Sequence, residues 1–519
     1  MTAHVLTGSE PRSLARHRAS VLAVYGCVML GIVARMAYID RPFDHRLVNP
    51  WRQSDYLQVT RNFQREGMNI LYPRIDWRGD TPGYAEMELP VLPWLGAALY
   101  RVVGAHAQVL RALAGAFEIA SLLLFTWLAR RLLPPVGAGF AVAAFALSPL
   151  PIILASAIQP EPVMHFFSLV ALALLWRWRE SPRCLSLLGA AAAAAIAILC
   201  KLPALYLGLV FAYVVIRKLG TKALADYRVY LASLIAVLPA CAWYVWAYHF
   251  WTQYGNSLGL SNEGHYLGWD LILPPRFLIG NLTWETVCVV TPIGWVLILA
   301  ALRAPDDKVQ LVLAWYAAAF IFYIVSARTT AERWAYYYHV LSVAPACLLM
   351  GAGIAAFADG RVIAARRGWT ADSERRLGCW LGAGTLATLV FATLFLIHLR
   401  DARTQWLQEM RTCALQFASS VAPADLIVVR GGSMRDARGN PIAHNESMAF
   451  AFMDRKGFNY GDEELGIDTL DRIAARGGRY WMVNRDELRR DDLKRLVESH
   501  YRQVDTCTEG YDLYDLRGH

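Results

Sequence analysis

Apolar runs recur along this chain from residue 20 to residue 398, and Lys and Arg cluster in short connections between them. A bilayer core takes about 20 apolar residues per helix, and in lipid every backbone amide must be paired within its own segment. Runs near 20–39, 110–128, 136–156, 162–177, 185–200, 203–217, 229–249, 286–302, 309–326, 337–358 and 377–398 fit that description. The expected fold class is therefore mainly α: a polytopic membrane protein with about eleven transmembrane helices. A hydrophobic share of 56% excludes an ordinary soluble enzyme. The formal charge of +9 does not indicate nucleic acid, because no basic stripe carries interleaved aromatics.

Lys and Arg in the connections set the orientation. "RSLARHR" before the first run places the N-terminus in the cytoplasm, and no small-residue cleavage site follows, so the first helix reads as uncleaved. "ARRLLPP", "RWRESPR", "IRKLGTKALADYR", "RAPDDK" and "DGRVIAARRGWTADSERR" then all fall on the same side. This requires "LPVLPWLGAALYRVVG" (89–104), short and holding two prolines, to be an interfacial helix rather than a span. Two units result: a membrane unit, 1–398, whose first outer loop is 40–109, and an outer α/β domain, 399–519. In the latter, "ADLIVVRGG" and "GGRYWMVNRDEL" read as strands, and "DTLDRIAAR" and "DDLKRLVESH" as helices. Cys413 and Cys507 both lie in this outer region, where an oxidising compartment would let them pair.

Charged residues that carry no orientation signal gather on the outer face. They are Asp55, Glu86 and Glu88 in the first loop, Glu161, Lys201, and Arg328 and Arg333, with His339 just inside the tenth run. A charge at the membrane edge is unfavourable unless paired or hydrated, which makes each a functional candidate. Each also has a structural reading. Asp55 would cap the helix "YLQVTRNFQREG", Glu161 would cap the fourth run, Lys201 would snorkel, and Arg333 would anchor a helix end. Glu86 and Glu88 would be solvated loop residues, and His339 a packed one. The residues require no cofactor; a divalent cation on the carboxylates and one histidine is the single one kept open. No GxxxxGK[ST] loop and no GxSxG pattern is present.

The order of motifs resembles a known family. "VTRNFQREG", Tyr72-Pro73, "EMELPVLPWLGAALYRVVG", "LARRLLPP", "ASAIQPEPVMHFFSLVALAL", "LCKLPALYLG" and "ERWAYYYHVLSVAPACLLMGAG" follow one another over residues 20–360. They resemble the GT-C membrane glycosyltransferases, in the branch of the bacterial aminoarabinose transferases and protein O-mannosyltransferases. The resemblance implies an inverting transferase that uses a polyprenyl-phosphate-linked sugar on the periplasmic side of a bacterial inner membrane. It implies Asp55 as the catalytic aspartate, with Asp44 as the alternative, and Glu161 as the second acidic residue. Glu88 with Pro90 is similar to the family's acidic-Pro segment, but Leu89 stands where the aminoarabinose branch has lysine. Lys201 or Arg333 must then hold the donor phosphate.

On this reading Asp55 is the base and Glu161 orients the acceptor or sugar. Lys201 and Arg333 bind phosphate, Tyr337 and His339 line the donor site, and Glu86 and Glu88 belong to the substrate site. Trp51, Trp77 and Trp94 either stack on a sugar or sit at the interface. The partners are a lipid-linked sugar donor, a lipid or glycan acceptor (glycolipid, polysaccharide or protein) and the bilayer, with no nucleic acid. A polysaccharide polymerase or ligase would differ only in acceptor. A lipid-linked sugar transporter or flippase would show two similar halves with mid-bilayer charges, and these halves do not match. A non-catalytic scaffold would tolerate Asp55→Asn.

Overall fold

The computed structural model describes residues 10–40, 49–303, 305–363, 369–401, 405–436, 439–443, 445–488 and 491–518; Asp44 lies outside them. Every expected run falls on helix. Among the described residues six helices are long and apolar enough to cross a membrane: Ala107–Leu132, Leu202–Ala225, Tyr227–Tyr254, Asp307–Val325, Tyr336–Ala358 and Ala371–Leu399. A bent pair, Pro275–Val290 with Pro292–Ala301, makes a seventh. Val21–Met36, Pro135–Leu147 and Cys184–Cys200 are apolar but shorter, and Glu161–Glu180 carries more charge at its ends. Among the described residues, length and composition thus pick out six or seven spans, which does not confirm the expected count of about eleven.

Two expected runs are broken by proline. The run at 286–302 bends by 86° at Thr291, whose φ is 67° and ψ 158°, immediately before Pro292. The run at 136–156 stops at Ser148, with ψ 134°, before Pro149 restarts a helix as Pro149–Leu154. Proline disfavours the α conformation at the residue before it, and both breaks fall one residue upstream. Val91–Val103 has 13 residues and so rises only about 20 Å, short of a bilayer core. It packs on Pro50–Glu66 and Ala107–Leu132 instead.

Val340–Ala358 is the centre of the bundle and is buried along its whole length. It touches Pro135–Leu147 backbone to backbone: a Cβ added to Gly137 would lie 2.6 Å from the carbonyl oxygen of Gly351. Small residues permit that approach where no hydrophobic driving force separates helix from lipid.

After Ala371–Asp401 the chain forms helix Gln405–Phe417 and five strands. These are β1 (Leu426–Gly432), β2 (Gly457–Gly461), β3 (Gly478–Asn484), β4 (Arg502–Cys507) and β5 (Tyr511–Asp515). The sheet order is β2-β1-β3-β5-β4. β1 runs parallel to β2 and β3, while β5 is antiparallel to β3 and β4. β1 and β3 are the strands expected from the sequence, and Ile467–Ala475 and Asp491–His500 the helices. Cys413 and Cys507 are disulfide-bonded, tying helix Gln405–Phe417 to the end of β4.

This unit is fastened to the first loop. Arg65 forms a bidentate pair with Asp454 at 2.9 and 2.7 Å. Glu66 pairs with Lys456, and Asp80 with Arg476. Two main-chain bonds join the units directly: Gly79 donates to Gly457 at 2.6 Å, and Gly457 to Asp76 at 3.0 Å.

Candidate active site

Helix Pro50–Glu66 starts at a proline, which fits the first helical turn because its missing N–H has no partner to lose there. Asp55 is the sixth residue of this helix, so it is not a cap. It is buried to 1% exposure. Trp77 donates its indole N–H to Asp55 Oδ1 at 2.9 Å, and Asn445 approaches Oδ2 at 3.5 Å. Burial pushes the Asp55 carboxyl up to about 7, against the pull of Trp77, Arg52, Ser447 and Asn445 toward the ionised form.

Arg52, one turn before Asp55, starts a chain of charges. It lies 3.5 Å from Glu88, Glu88 lies 4.0 Å from Lys201, and Lys201 pairs with Glu161. Lys201 is buried to 3% exposure, so it does not snorkel. Its ammonium sits 5.2 and 5.1 Å from the ring centroids of Tyr337 and Tyr338. Glu161 opens helix Glu161–Glu180, where a carboxylate also meets the positive end of the helix dipole.

A cavity of about 710 Å³ opens beside this chain. Arg52, Asp55, Trp51, Tyr337 and Tyr338 form one wall. Glu263 comes from the loop after Tyr227–Tyr254, Arg276 from the first turn of helix Pro275–Glu285, Arg328 and Trp334 from the segment after Asp307–Val325, and Asn445 and Glu446 from the C-terminal unit. Arg276 has no carboxylate partner among the described residues. Arg328 is held by the carbonyls of Gly264 and Pro441.

The sequence expectations divide here. Asp55, Glu88, Glu161, Lys201 and Tyr337 are brought together, with Asp55 and Tyr337 on the cavity surface and the other three behind it. Three further candidates lie outside this cluster. Arg333 is exposed, between Glu332 and Trp334, which do line the cavity. His339 is fully buried and bonds Glu285 at 2.7 Å, while Tyr316 and Ser342 donate to the same carboxylate. A lone buried carboxylate in a bundle needs such partners, which explains the histidine. Glu86 is neither solvated nor free for substrate. It accepts from Ser257 Oγ at 2.6 Å, Ser261 Oγ at 2.8 Å and Ser261 N at 3.0 Å, clamping two loops together.

Of the tryptophans, Trp51 lines the cavity, Trp77 holds Asp55, and Trp94 donates to the Met68 carbonyl. Among the described residues no three or more His, Cys, Asp or Glu side chains gather to hold a metal ion. Arg52, Arg276, Asn445 and Glu446 were not singled out from sequence. For Arg52 a signal existed: it sits three residues from Asp55, on the same helix face.

The sequence model described as dolichyl-phosphate-mannose-protein mannosyltransferase matches residues 81–246. No curated protein matches the sequence significantly. Among solved structures, ArnT from Cupriavidus metallidurans in the apo state superposes with TM-score 0.63 at 15% identity, covering 96% of this chain and 98% of that one. The same protein bound to undecaprenyl phosphate gives 0.59 at 16% identity, covering 95% and 98%. The Archaeoglobus fulgidus oligosaccharyltransferase tethered with an acceptor peptide gives 0.51 at 14% identity, covering 95% and 74%. The chain has the GT-C fold. Within this GT-C frame, helix Pro50–Glu66 and the segment Tyr336–His339 present Asp55 and Tyr337 to one cavity at the ends of the bundle helices. The loop before helix Met448–Met453 of the C-terminal unit completes the cavity lining beside Asp55 through Asn445 and Glu446.

Proposed function

We propose that this chain is a membrane glycosyltransferase that moves a sugar, with inversion, from a polyprenyl-phosphate donor to an envelope acceptor. One observation carries the reading: the buried Asp55 carboxyl, tuned near neutrality, faces a cavity that also presents unpaired cationic charge and aromatic rings. The similar ArnT structure bound to undecaprenyl phosphate supports the donor class.

A phosphate-linked sugar already carries a good leaving group. The protein must supply a base and positive charge at the departing phosphate. Asp55 accepts the proton of the acceptor hydroxyl as that oxygen bonds the anomeric carbon. The bond from that carbon to the phosphate oxygen breaks, and the phosphate leaves with the electron pair. Arg276 and Arg52 stabilise its charge, and Lys201 adds to the field from behind Tyr337. Glu161 and Glu88 hold Lys201 and Arg52 in place rather than touching substrate. Trp51 and Trp334, with ring centroids 6.3 Å apart, give the sugar an apolar surface.

The acceptor is a glycolipid or polysaccharide of the envelope, and the protein lies in the bacterial inner membrane with its N-terminus in the cytoplasm. The membrane unit is 1–398, and the disulfide-bonded unit 399–519 is periplasmic; the Cys413–Cys507 bond supports that side.

The test uses purified protein, radiolabelled polyprenyl-phosphate sugars and membrane extract. Wild type should transfer label, and Asp55→Asn should lose about 10²–10⁴-fold in rate. Equal transfer by both proteins removes the assignment.

A further inference from the structure

The C-terminal unit brings a second carboxyl to the cavity. Ser447 donates its hydroxyl to the Trp51 carbonyl at 2.7 Å, and Gln58 donates to the Ser447 carbonyl at 2.5 Å. Asn445, on the other side, reaches Asp55 at 3.5 Å. Residues 445 and 447 are thereby pinned to helix Pro50–Glu66, and Glu446 between them lines the same cavity as Asp55. Met448 donates its backbone N–H to Glu446 Oε1 at 2.5 Å, and Asn459 donates to the Glu446 carbonyl at 3.1 Å. No cation pairs with Glu446 among the described residues.

The charges around the two carboxyls differ. Asp55 is faced by Arg52 from its own helix, with Trp77 and Asn445 as neutral donors and the Ser447 hydroxyl nearby. Glu446 is faced by Asp55, and by Tyr511 of β5. Glu263 and Arg328, elsewhere on the cavity, act on each other. Two carboxyls on one poorly hydrated cavity do not both ionise readily, and their protons leave in steps that belong to the pair.

We propose that Glu446 is a positioning residue for the transfer chemistry: it keeps its proton beside Asp55, so that Asp55 is the member that ionises and serves as base at neutral pH. Burial and the nearby Asp55 charge push the Glu446 carboxyl up with no cation among the described residues to offset them, whereas Arg52, Trp77 and Asn445 pull Asp55 back toward the ionised form. The acceptor proton passes to Asp55 and then to cavity water, while the Glu446 proton stays in place. This rests on the reading of Asp55 as base.

The test compares wild type with Glu446→Gln, full length in lipid nanodiscs. Initial rates of transfer from a radiolabelled polyprenyl-phosphate sugar are followed from about pH 5 to about pH 9. Glutamine keeps an acceptor for the Met448 N–H but cannot ionise. The acid limb should keep its midpoint near neutrality or move down by up to about one unit, and the alkaline fall expected of wild type above about pH 8, as Glu446 ionises, should vanish. An alkaline fall retained in Glu446→Gln overturns the proposal. A second readout needs no activity: at neutral pH the infrared carboxylic C=O band of wild type should lose intensity in Glu446→Gln, and an unchanged band also overturns it. Transfer that survives Asp55→Asn would instead strike the parent reading. With Asp55→Asn inactive and the alkaline fall unchanged in Glu446→Gln, only the role of Glu446 falls.

Discussion

The indole N–H of Trp77 points at Oδ1 of Asp55 from 2.9 Å, within a pocket where the carboxylate is almost wholly cut off from water. A hydrogen bond to the charged form favours that form, so Trp77 keeps the carboxyl from rising further. Trp77→Phe removes this donor while preserving an aromatic filler. Such a bond is worth about 1.5–3 kcal/mol, and one pH unit corresponds to about 1.4 kcal/mol. The acid limb of the pH–rate profile should therefore shift up by about one unit or more. Asp55 is the base only when ionised, so the rate at neutral pH falls while the alkaline side recovers. A limb that stays in place, or moves down, would contradict the role given to Trp77.

Lys201 lies between two buried carboxylates, Glu161 and Glu88; it is the cation paired with Glu161, whereas Glu88 has Arg52 closer, at 3.5 Å against 4.0 Å. Removing one partner of a buried ion pair typically destabilises by about 3–5 kcal/mol, because a charge is left uncompensated. Lys201→Met should lower the thermal midpoint markedly. Adding Glu161→Gln should restore part of the stability, since the stranded charge is then gone; a coupling of at least about 1 kcal/mol is expected for contacting residues. Activity should not return with stability. Additive effects in the double-mutant cycle would argue that the two side chains are not paired.

Arg276 and Arg333 give a sharper contrast. Both are exposed, but only Arg276 borders the cavity. If cationic charge there meets the donor phosphate, Arg276→Ala should raise KM for the lipid-linked sugar about tenfold, from the loss of one charge-assisted contact. Arg333→Ala should leave kcat and KM within about twofold, as expected of a surface substitution. A larger effect at Arg333 than at Arg276 would reverse the assignment.

The helices were legible because a bilayer permits few alternatives: each apolar run must pair its own backbone, and every one is helical in the structure. The breaks at Ser148 and Thr291 were marked by the following prolines, yet composition alone counted each run as one segment. In the site, Asp55, Glu88, Glu161 and Lys201 could be found because charges beside apolar runs are scarce. Arg333 and His339 obey the same rule and lie elsewhere, since the rule gives a leaflet and not a direction. Glu285, which accounts for His339, lay just outside the run expected at 286–302, whose helix starts at Pro275. Asn445 and Glu446 carried no such mark. They sit in a polar loop almost 400 residues from Asp55, and only the docking of the sheet on the first loop brings them to the cavity.

The Cys413–Cys507 bond closes a separation of 94 residues that contains Asn445, Glu446 and the strands β1, β2 and β3. Closing a loop of that length removes chain entropy from the unfolded state worth about 4–5 kcal/mol, and loss of a native disulfide typically destabilises by about 2–5 kcal/mol. The double variant Cys413→Ser/Cys507→Ser should therefore lose cavity function on heating well before wild type does. The docking contacts Arg65–Asp454, Glu66–Lys456 and Asp80–Arg476 do not involve the bond. At low temperature they should keep Glu446 at the cavity and transfer close to wild type. Thermal inactivation followed by residual transfer tests this, with reductant-treated wild type as a second arm. A midpoint equal to that of untreated wild type in both arms would mean that the bond adds nothing to the stability of this unit.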